Sequence, residues 1–523
     1  MKKYVILIAL AIVPVLPLDA DSGCCDDDDA SNSFMFTRPI TQNLSTRQAL
    51  WWDIIHNKGG EFLSSVNITA MYQQSLPLFE TDVYFAPSCC TDGYIVSGDK
   101  VIDNISRRKI RAEWINLPST FNGTFSLSPV QKQAGVVFEF NQDLRKFSDA
   151  SFFENSWVGI YFPLLWVEND MRLREHDYSP TFTVSNCCCP TNPQTIAQAF
   201  RQVDWHFAKI CGRRSIVSLG DINIQIGKTF LSRDHFLVAE YTTLYIPTGN
   251  IQDGQSLFEP VAGNNGHFGF GTGVSFQILM NRDDSHFAAC WFINLESVFL
   301  ARNRQFRSFD LINKPYSRYL QLVRENDPTA TRIPAVNILT QWVQVHPYNL
   351  ADLSTGLRLK TARTELELGY SIWGHGTEKI DFLCDKFPLG YGIAGNQLAP
   401  NEDPAIYCGH FAPATASKST IACLAENDVI MTNCLASFDQ CVPLLNADGN
   451  AQRVFIPILP EDLRLRSAAG ESAFNHKFQM SFGFAHHVGN VDLFFGAGLY
   501  YDKPVKNGAL NLLGGWAKWG ASF

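Results

Sequence analysis

The chain has 523 residues, 46% of them hydrophobic and 18% charged, with a formal net charge of -9. That balance disfavours nucleic acid as a partner. A mean hydropathy of -0.06 would by itself suggest a soluble protein, but a transmembrane barrel hides from hydropathy because half of every strand faces water.

Met1 to Ala20 reads as a cleaved signal peptide, with Lys2 and Lys3 as the basic start, an apolar stretch from Tyr4 to Leu16, and Leu18-Asp19-Ala20 as the cleavage site. Cleavage before Cys24 to give a lipoprotein is the weaker reading, because Asp21 stands where an aliphatic residue is wanted. Beyond residue 20 no window approaches the roughly 20 apolar residues that a membrane helix needs. Residues 21–60 are expected to form an N-terminal periplasmic segment, with Asp26 to Asp29 a solvated acidic run rather than a metal site. Residues 61–523 are expected to form the barrel, with a long loop insertion at about 374–476.

Strands announce themselves by a two-residue period. In His267 to Met280, Phe268, Phe270, Val274, Phe276 and Ile278 share one face, and Gly269, Gly271, Gly273, Ser275 and Gln277 the other. In His286 to Leu300, Phe287, Trp291, Leu295 and Phe299 point outward, while Cys290, Asn294 and Glu296 point inward. Val491 to Asp502 alternates in the same way, and shorter patterns run through Asp221 to Phe230, His235 to Ile246 and Lys477 to Phe484. Alternation of this length matches membrane strands of about 9–11 residues.

Connections alternate as well. Ser232 to Asp234, Asn281 to Ser285, Ala362 to Arg363 and His487 to Asn490 read as tight turns. Pro247 to Gly266, Ala301 to Asp352 and Gly374 to about His476 are long. Short turns on one rim and long loops on the other mark an outer-membrane barrel, the short side being periplasmic. The predicted fold is therefore all-β, a single closed antiparallel transmembrane barrel of about 12–16 strands, with Ser65 to Gln73 and Phe121 to Leu127 as the weaker strand signals.

One hairpin gives a register. With Ala362-Arg363 as a two-residue turn, Lys360 faces Glu365 and Arg358 faces Glu367 on the inner side, while Leu359 meets Leu366 and Leu357 meets Leu368 on the lipid side. Charge and hydrophobicity are satisfied together. The predicted pore lining comprises Gln277, Asn294, Glu296, Arg358, Lys360, Glu365, Glu367, Gln479 and Lys518, without a dominant sign.

Fourteen cysteines in an exported chain point to disulfides, clustered at Cys24-Cys25, Cys89-Cys90, Cys187-Cys188-Cys189 and through the longest loop, with only Cys290 inside a clear strand. No CxxC pair and no histidine at ligand spacing supports zinc, and no cofactor is indicated. Thr195 to Phe207 reads as a short amphipathic helix on the surface, with constriction of the pore as the alternative.

The closing segment, Leu510 to Phe523, puts Leu513, Ala517, Trp519 and Phe523 on one face and Trp516, Lys518 and Ser522 on the other. An aromatic C-terminal strand of this kind resembles the closing strand of bacterial outer-membrane barrels, which implies outer-membrane lipid and the barrel-assembly machinery as partners. The phrases AEWINLPSTFNGTFSLSP, LFEPVAGNNGHFGFG and ELELGYSIWG resemble uncharacterised outer-membrane proteins of host-dependent bacteria. The cysteine-rich barrel as a whole resembles the major outer-membrane porins of intracellular bacteria such as chlamydiae.

Porin-like passive diffusion of small solutes is the leading functional expectation. A hydrophobic-substrate transporter is the alternative, because Phe292, Phe494 and Trp516 fall on inner faces. A disulfide-rich structural or adhesive surface protein comes third, and homo-oligomerisation stays open. An enzyme is not expected: His486 and His487 lie beside a turn without a neighbouring serine.

Overall fold

Alternating residues become strands whose outer side chains are apolar and whose inner ones are mostly polar. The computed structural model describes residues 31–523 except 53–62, 89–92, 148–152, 177–191, 234–235, 281–286, 328, 348, 384–386, 396–405, 408–409, 412–413, 426–427, 429–430, 433–441, 444–453 and 506–507. The signal segment and the acidic run lie outside the described residues, as do all cysteines other than Cys211, Cys290 and Cys423.

Twelve strands make the wall: β1 (Ser64–Ser75), β2 (Val130–Asp143), β3 (Ser156–Asp170), β4 (Ile222–Arg233), β5 (Phe236–Ile246), β6 (Gly269–Leu279), β7 (Phe287–Leu300), β8 (Leu350–Thr361), β9 (Thr364–His375), β10 (Ala473–Val488), β11 (Val491–Pro504) and β12 (Leu512–Ser522). Each pairs antiparallel with its neighbour in the chain, and β12 pairs with β1. The ring is therefore closed and leaves no unpaired edge. Arg214–Leu219 continues the line of β4 past Gly220 and pairs with the far half of β3. The seam is finished by Phe523, whose carbonyl accepts from Leu63 N–H at 3.2 Å and Ser64 N–H at 2.9 Å. Trp519 stands opposite Ile68 on this seam, its ring on the outer face.

Outward residues form an apolar belt. Phe270, Val274, Leu295, Phe299, Leu368, Phe482, Phe495 and Leu499 are all exposed, on strands spread around the ring. Tight turns join β8 to β9 at Ala362-Arg363 and β10 to β11 at Gly489-Asn490, where Gly489 takes a φ of +62°. The turns centred on 234–235 and 281–286 fall outside the described residues. The β8–β9 register is the one the charges dictate: Arg358 faces Glu367, Lys360 faces Glu365, Leu357 faces Leu368 and Leu359 faces Leu366.

Three expectations are corrected. Phe121 to Leu127 does not cross with the wall. Its Asn122–Ser126 portion joins a small sheet with Tyr94–Ser97, Ile110–Arg111 and Arg174–His176. The long loops share one apolar core, including Trp114, Phe125, Phe200, Trp205, Tyr316, Tyr319, Leu322 and Val343, which forms a cap over the long-loop rim. Within Thr195 to Phe207 only Ile196–Ala199 is helical, and Ile196, Ala199, Phe200 and Trp205 are buried in that cap core instead of forming a surface or lumen helix.

The N-terminal segment departs furthest from expectation. Residues 31–52 do not stand apart as a periplasmic segment but run the length of the lumen. Ser31 and Asn32 bond to the Ala86 and Tyr84 carbonyls in the cap. Trp52 packs against Trp157, at the turn-side end of β3, with ring centroids 6.4 Å apart. A chain of polar side chains cannot line a narrow lumen unpaired, because each buried unsatisfied group costs on the order of 1–3 kcal/mol. The segment supplies the missing partners.

Candidate functional site: the filled lumen

Two arginines on the segment hold it to the wall. After a 3-10 turn at Ile40–Gln42, its α-helical turn, α1 (Leu44–Arg47), begins at Asn43, whose side chain accepts from Thr46 N–H, and ends by pointing Arg47 sideways into the wall. Arg47 forms an ion pair with Glu296 of β7 and donates to the Tyr245 hydroxyl at 2.8 Å. Arg38, six residues before α1, forms an ion pair with Asp352 of β8, lies 3.8 Å from a carboxylate oxygen of Asp502 on β11, and stacks over Trp373. Glu296 and Asp352 are themselves register partners on adjacent strands. Lys477 completes this level, 3.7 Å from Asp502.

A second level lies nearer the turns. Arg358 sits 3.2 Å from Glu365 and 2.7 Å from Glu367, and Lys360 lies 3.3 Å from Glu365. Gln479 donates to Glu367 at 3.0 Å. Two of these wall cations also hold the end of α1: Arg358 donates to the Gln48 carbonyl at 3.2 Å, and Lys518 donates to the carbonyls of Arg47 and Ala49 at 3.2 and 2.9 Å. Cations at the C-terminal end of a helical turn satisfy its unpaired carbonyls and suit its dipole.

Apolar contacts seat the segment between these levels. Leu50 and Ala49 pack with Trp516 and Tyr500, and Phe34 and Phe36 pack with Tyr245, Leu300, Leu350 and Trp373. Gly483 and Gly496 leave the space that Leu50 fills: a Cβ built on Gly496 would lie 1.8 Å from a Leu50 methyl. Leu50 and Trp51 both adopt left-handed φ values, +45° and +57°, which non-glycine residues hold only when packing enforces them. Gly496→Val is therefore expected to push Leu50 from its seat and speed amide hydrogen exchange at residues 48–52. Unchanged exchange there in a folded Gly496→Val barrel would contradict this role of the glycine.

Every residue predicted as lining is on the inner side. Gln277, Asn294, Glu296, Arg358, Glu365, Glu367 and Lys518 are buried there, while Gln479 and Lys360 are partly exposed. The structure brings Arg358, Lys360, Glu365, Glu367 and Gln479 into one network with Lys518 nearby, and puts Glu296 in the other level. Asn294 accepts from Ser275 at 2.6 Å on the neighbouring strand and takes no part in either. Phe292 lies under the Arg358 guanidinium, 5.0 Å from it, and Trp516 packs on the segment. These aromatics thus fill the lumen instead of lining an open apolar path. His487 pairs across its turn with Asp492 at 2.8 Å on the rim.

Sequence reasoning missed Arg38, Arg47, Asp352 and Lys477, and placed Asp502 on the inner face without giving it a role. The usable signal was chemical: inward carboxylates at Glu296 and Asp352 with no wall cation opposite them in register.

Beyond the rim, the cap is tied to the start of the segment. Arg318 and Asp310 form a fully buried ion pair at 2.5 Å, and the Ser31 hydroxyl donates to the same Asp310 carboxylate at 2.5 Å. In the loop after β5, Glu259 accepts N–H bonds from Asp253, Gly254 and Ser256. Burial and the neighbouring Asp253 push its carboxyl up to about 7.

No family model matches the chain, and no curated protein matches it. Among solved structures it is similar to an outer membrane channel from Pseudomonas putida F1, at 8% identity and a TM-score of 0.33, over 89% of this chain and 99% of that one. It is also similar to a Pseudomonas aeruginosa FadL homologue, at 6% identity and a TM-score of 0.28, over 96% and 98%. The beta domain of the Bordetella autotransporter BrkA gives 7% identity and a TM-score of 0.29, over 88% and 100%. These neighbours are outer-membrane barrels, and at such scores no residue role passes from them to this chain.

Proposed function

We propose that this protein is an outer-membrane channel for small hydrophilic solutes, closed in the state described here by residues 31–52 and opened when they leave the lumen. The observation that carries the reading is the ionic attachment of Arg38 and Arg47 to Asp352, Asp502 and Glu296. Apolar seats at Phe34, Phe36 and Leu50 help to hold the segment, but its ion pairs and carbonyl bonds can be exchanged for water, and that exchange weakens its hold. The apolar belt of the closed ring and the alternation of turn and loop lengths support placement in an outer membrane. The polar inner wall favours hydrophilic solutes over the hydrophobic-substrate alternative. The resemblance to cysteine-rich major porins belongs to this reading, as do passage through the barrel-assembly machinery and removal of a signal peptide.

The test is planar-bilayer recording of the full chain. The native protein is expected to show rare, short steps, and the Arg38→Ala/Arg47→Ala double variant frequent, long ones. A large constant conductance in the native protein would mean that the segment does not gate. Silence in both, with barrels that still migrate as compact species before heating, would mean that the protein is no channel and would favour the structural or adhesive role.

A further inference from the structure

The inner wall is not electrically neutral at every level, and the imbalance coincides with the segment's two cations. At the turn-side level, Arg358, Lys360 and Lys518 stand among Glu365, Glu367 and Glu139, so charge is matched within the wall. At the loop-side level, Glu296, Asp352 and Asp502 meet one wall cation among the described residues, Lys477. Arg38 and Arg47 supply the rest. Asp221, also inward and close to this rim, accepts N–H bonds from Asn264 at 2.7 Å and Gly249 at 3.3 Å and stays with its own loop. Asp143, on the turn side, is paired with Arg145 at 2.7 Å.

We infer that the opened channel is cation-selective, with Glu296, Asp352 and Asp502 as its selectivity ring. This rests on the gated-channel reading. Withdrawing residues 31–52 takes two positive charges out of the lumen and leaves three carboxylates against Lys477, at one height and on three strands. Rings of Asp and Glu select cations by the field they impose where the wall excludes bulk water. Glu296 and Asp352, as register partners, cannot both be served by Lys477, which faces Asp502 across the β10–β11 pair. The same carboxylates therefore hold the gate when it is shut and attract cations such as potassium, or small cationic solutes, when it is open. Occupancy of the ring by a permeant cation would compete with Arg38 and Arg47, so raising the salt concentration favours the open state as well.

The experiment is the zero-current potential of the full-length Arg38→Ala/Arg47→Ala variant across a tenfold potassium chloride gradient. A potential of the sign set by potassium, with potassium favoured over chloride several-fold, is the expected result. Adding Glu296→Gln, Asp352→Asn and Asp502→Asn to that variant is expected to leave the steps and abolish the preference. Steps with no preference, or with chloride preferred, would overturn the selectivity ring while the gated channel stands. An absence of steps from folded barrels of either variant would overturn the channel reading and the ring with it. A preference that survives the triple substitution would assign selectivity to other residues and also overturn the ring.

Discussion

Asp310→Ala is expected to open the cap while leaving the barrel wall closed. Asp310 is fully buried with Arg318, and its carboxylate also accepts from Ser31 Oγ, Tyr316 N–H and Arg318 N–H. Removing one member of a buried ion pair leaves the other uncompensated, at a cost of about 3–5 kcal/mol. The stranded Arg318 guanidinium has the Ser31 and Asn32 carbonyls left to serve it, so it must either draw in water or leave the core. Loss of protease resistance confined to the loops, with compact migration before heating retained, would be the signature. Asp310→Asn keeps the shape and part of the hydrogen bonding and should fall between. A cap as resistant as the native one in Asp310→Ala would show that the pair contributes nothing to its stability.

Arg358→Ala should have an effect of similar size on the wall. Glu365 and Glu367 are fully or almost fully buried, and Arg358 contacts both. Without it, Lys360 remains for Glu365 and Gln479 for Glu367, and the Gln48 carbonyl loses one donor. The expected cost is again about 3–5 kcal/mol, seen as a lower temperature for conversion of the compact to the extended form on gels. Replacing the cation together with its closest carboxylate, as Arg358→Met/Glu367→Gln, leaves Lys360 paired with Glu365 and should recover most of the loss. If the single and double variants convert at the same temperature, buried charge is not what makes Arg358 matter.

The wall was legible in the sequence because a barrel strand has one period and two environments. Phe270 and Gly271, or Leu359 and Lys360, declare their faces with no knowledge of the rest of the chain. The β8–β9 register followed because one alignment alone satisfies four charged and four apolar residues around a two-residue turn. What fills the lumen obeys no period. Arg38 finds Asp352 at a separation of 314 residues and Arg47 finds Glu296 at 249, so nothing local to residues 31–52 marks them as a plug. The cap was hidden for a related reason. Its strands are mostly two to seven residues long, too short to show alternation, and what unites them is a core assembled from several loops. Thr195 to Phe207 illustrates this: its amphipathic pattern is legible in the sequence, but the loops that bury its apolar residues are not.

The central claim is that residues 31–52 occupy the lumen, and amide hydrogen exchange of the native protein in lipid nanodiscs tests it most directly. Ile40 N–H is bonded to Gln133 of the wall, Leu44 N–H to Asp352, and Arg47 and Gln48 N–H groups close the turn of α1. Peptides covering residues 38–50 should therefore exchange as slowly as the wall strands β7 and β8, and become fast in Arg38→Ala/Arg47→Ala while the strands stay protected. Exchange of 38–50 in the native protein at the rate of an unstructured peptide would place the segment outside the lumen and contradict the account.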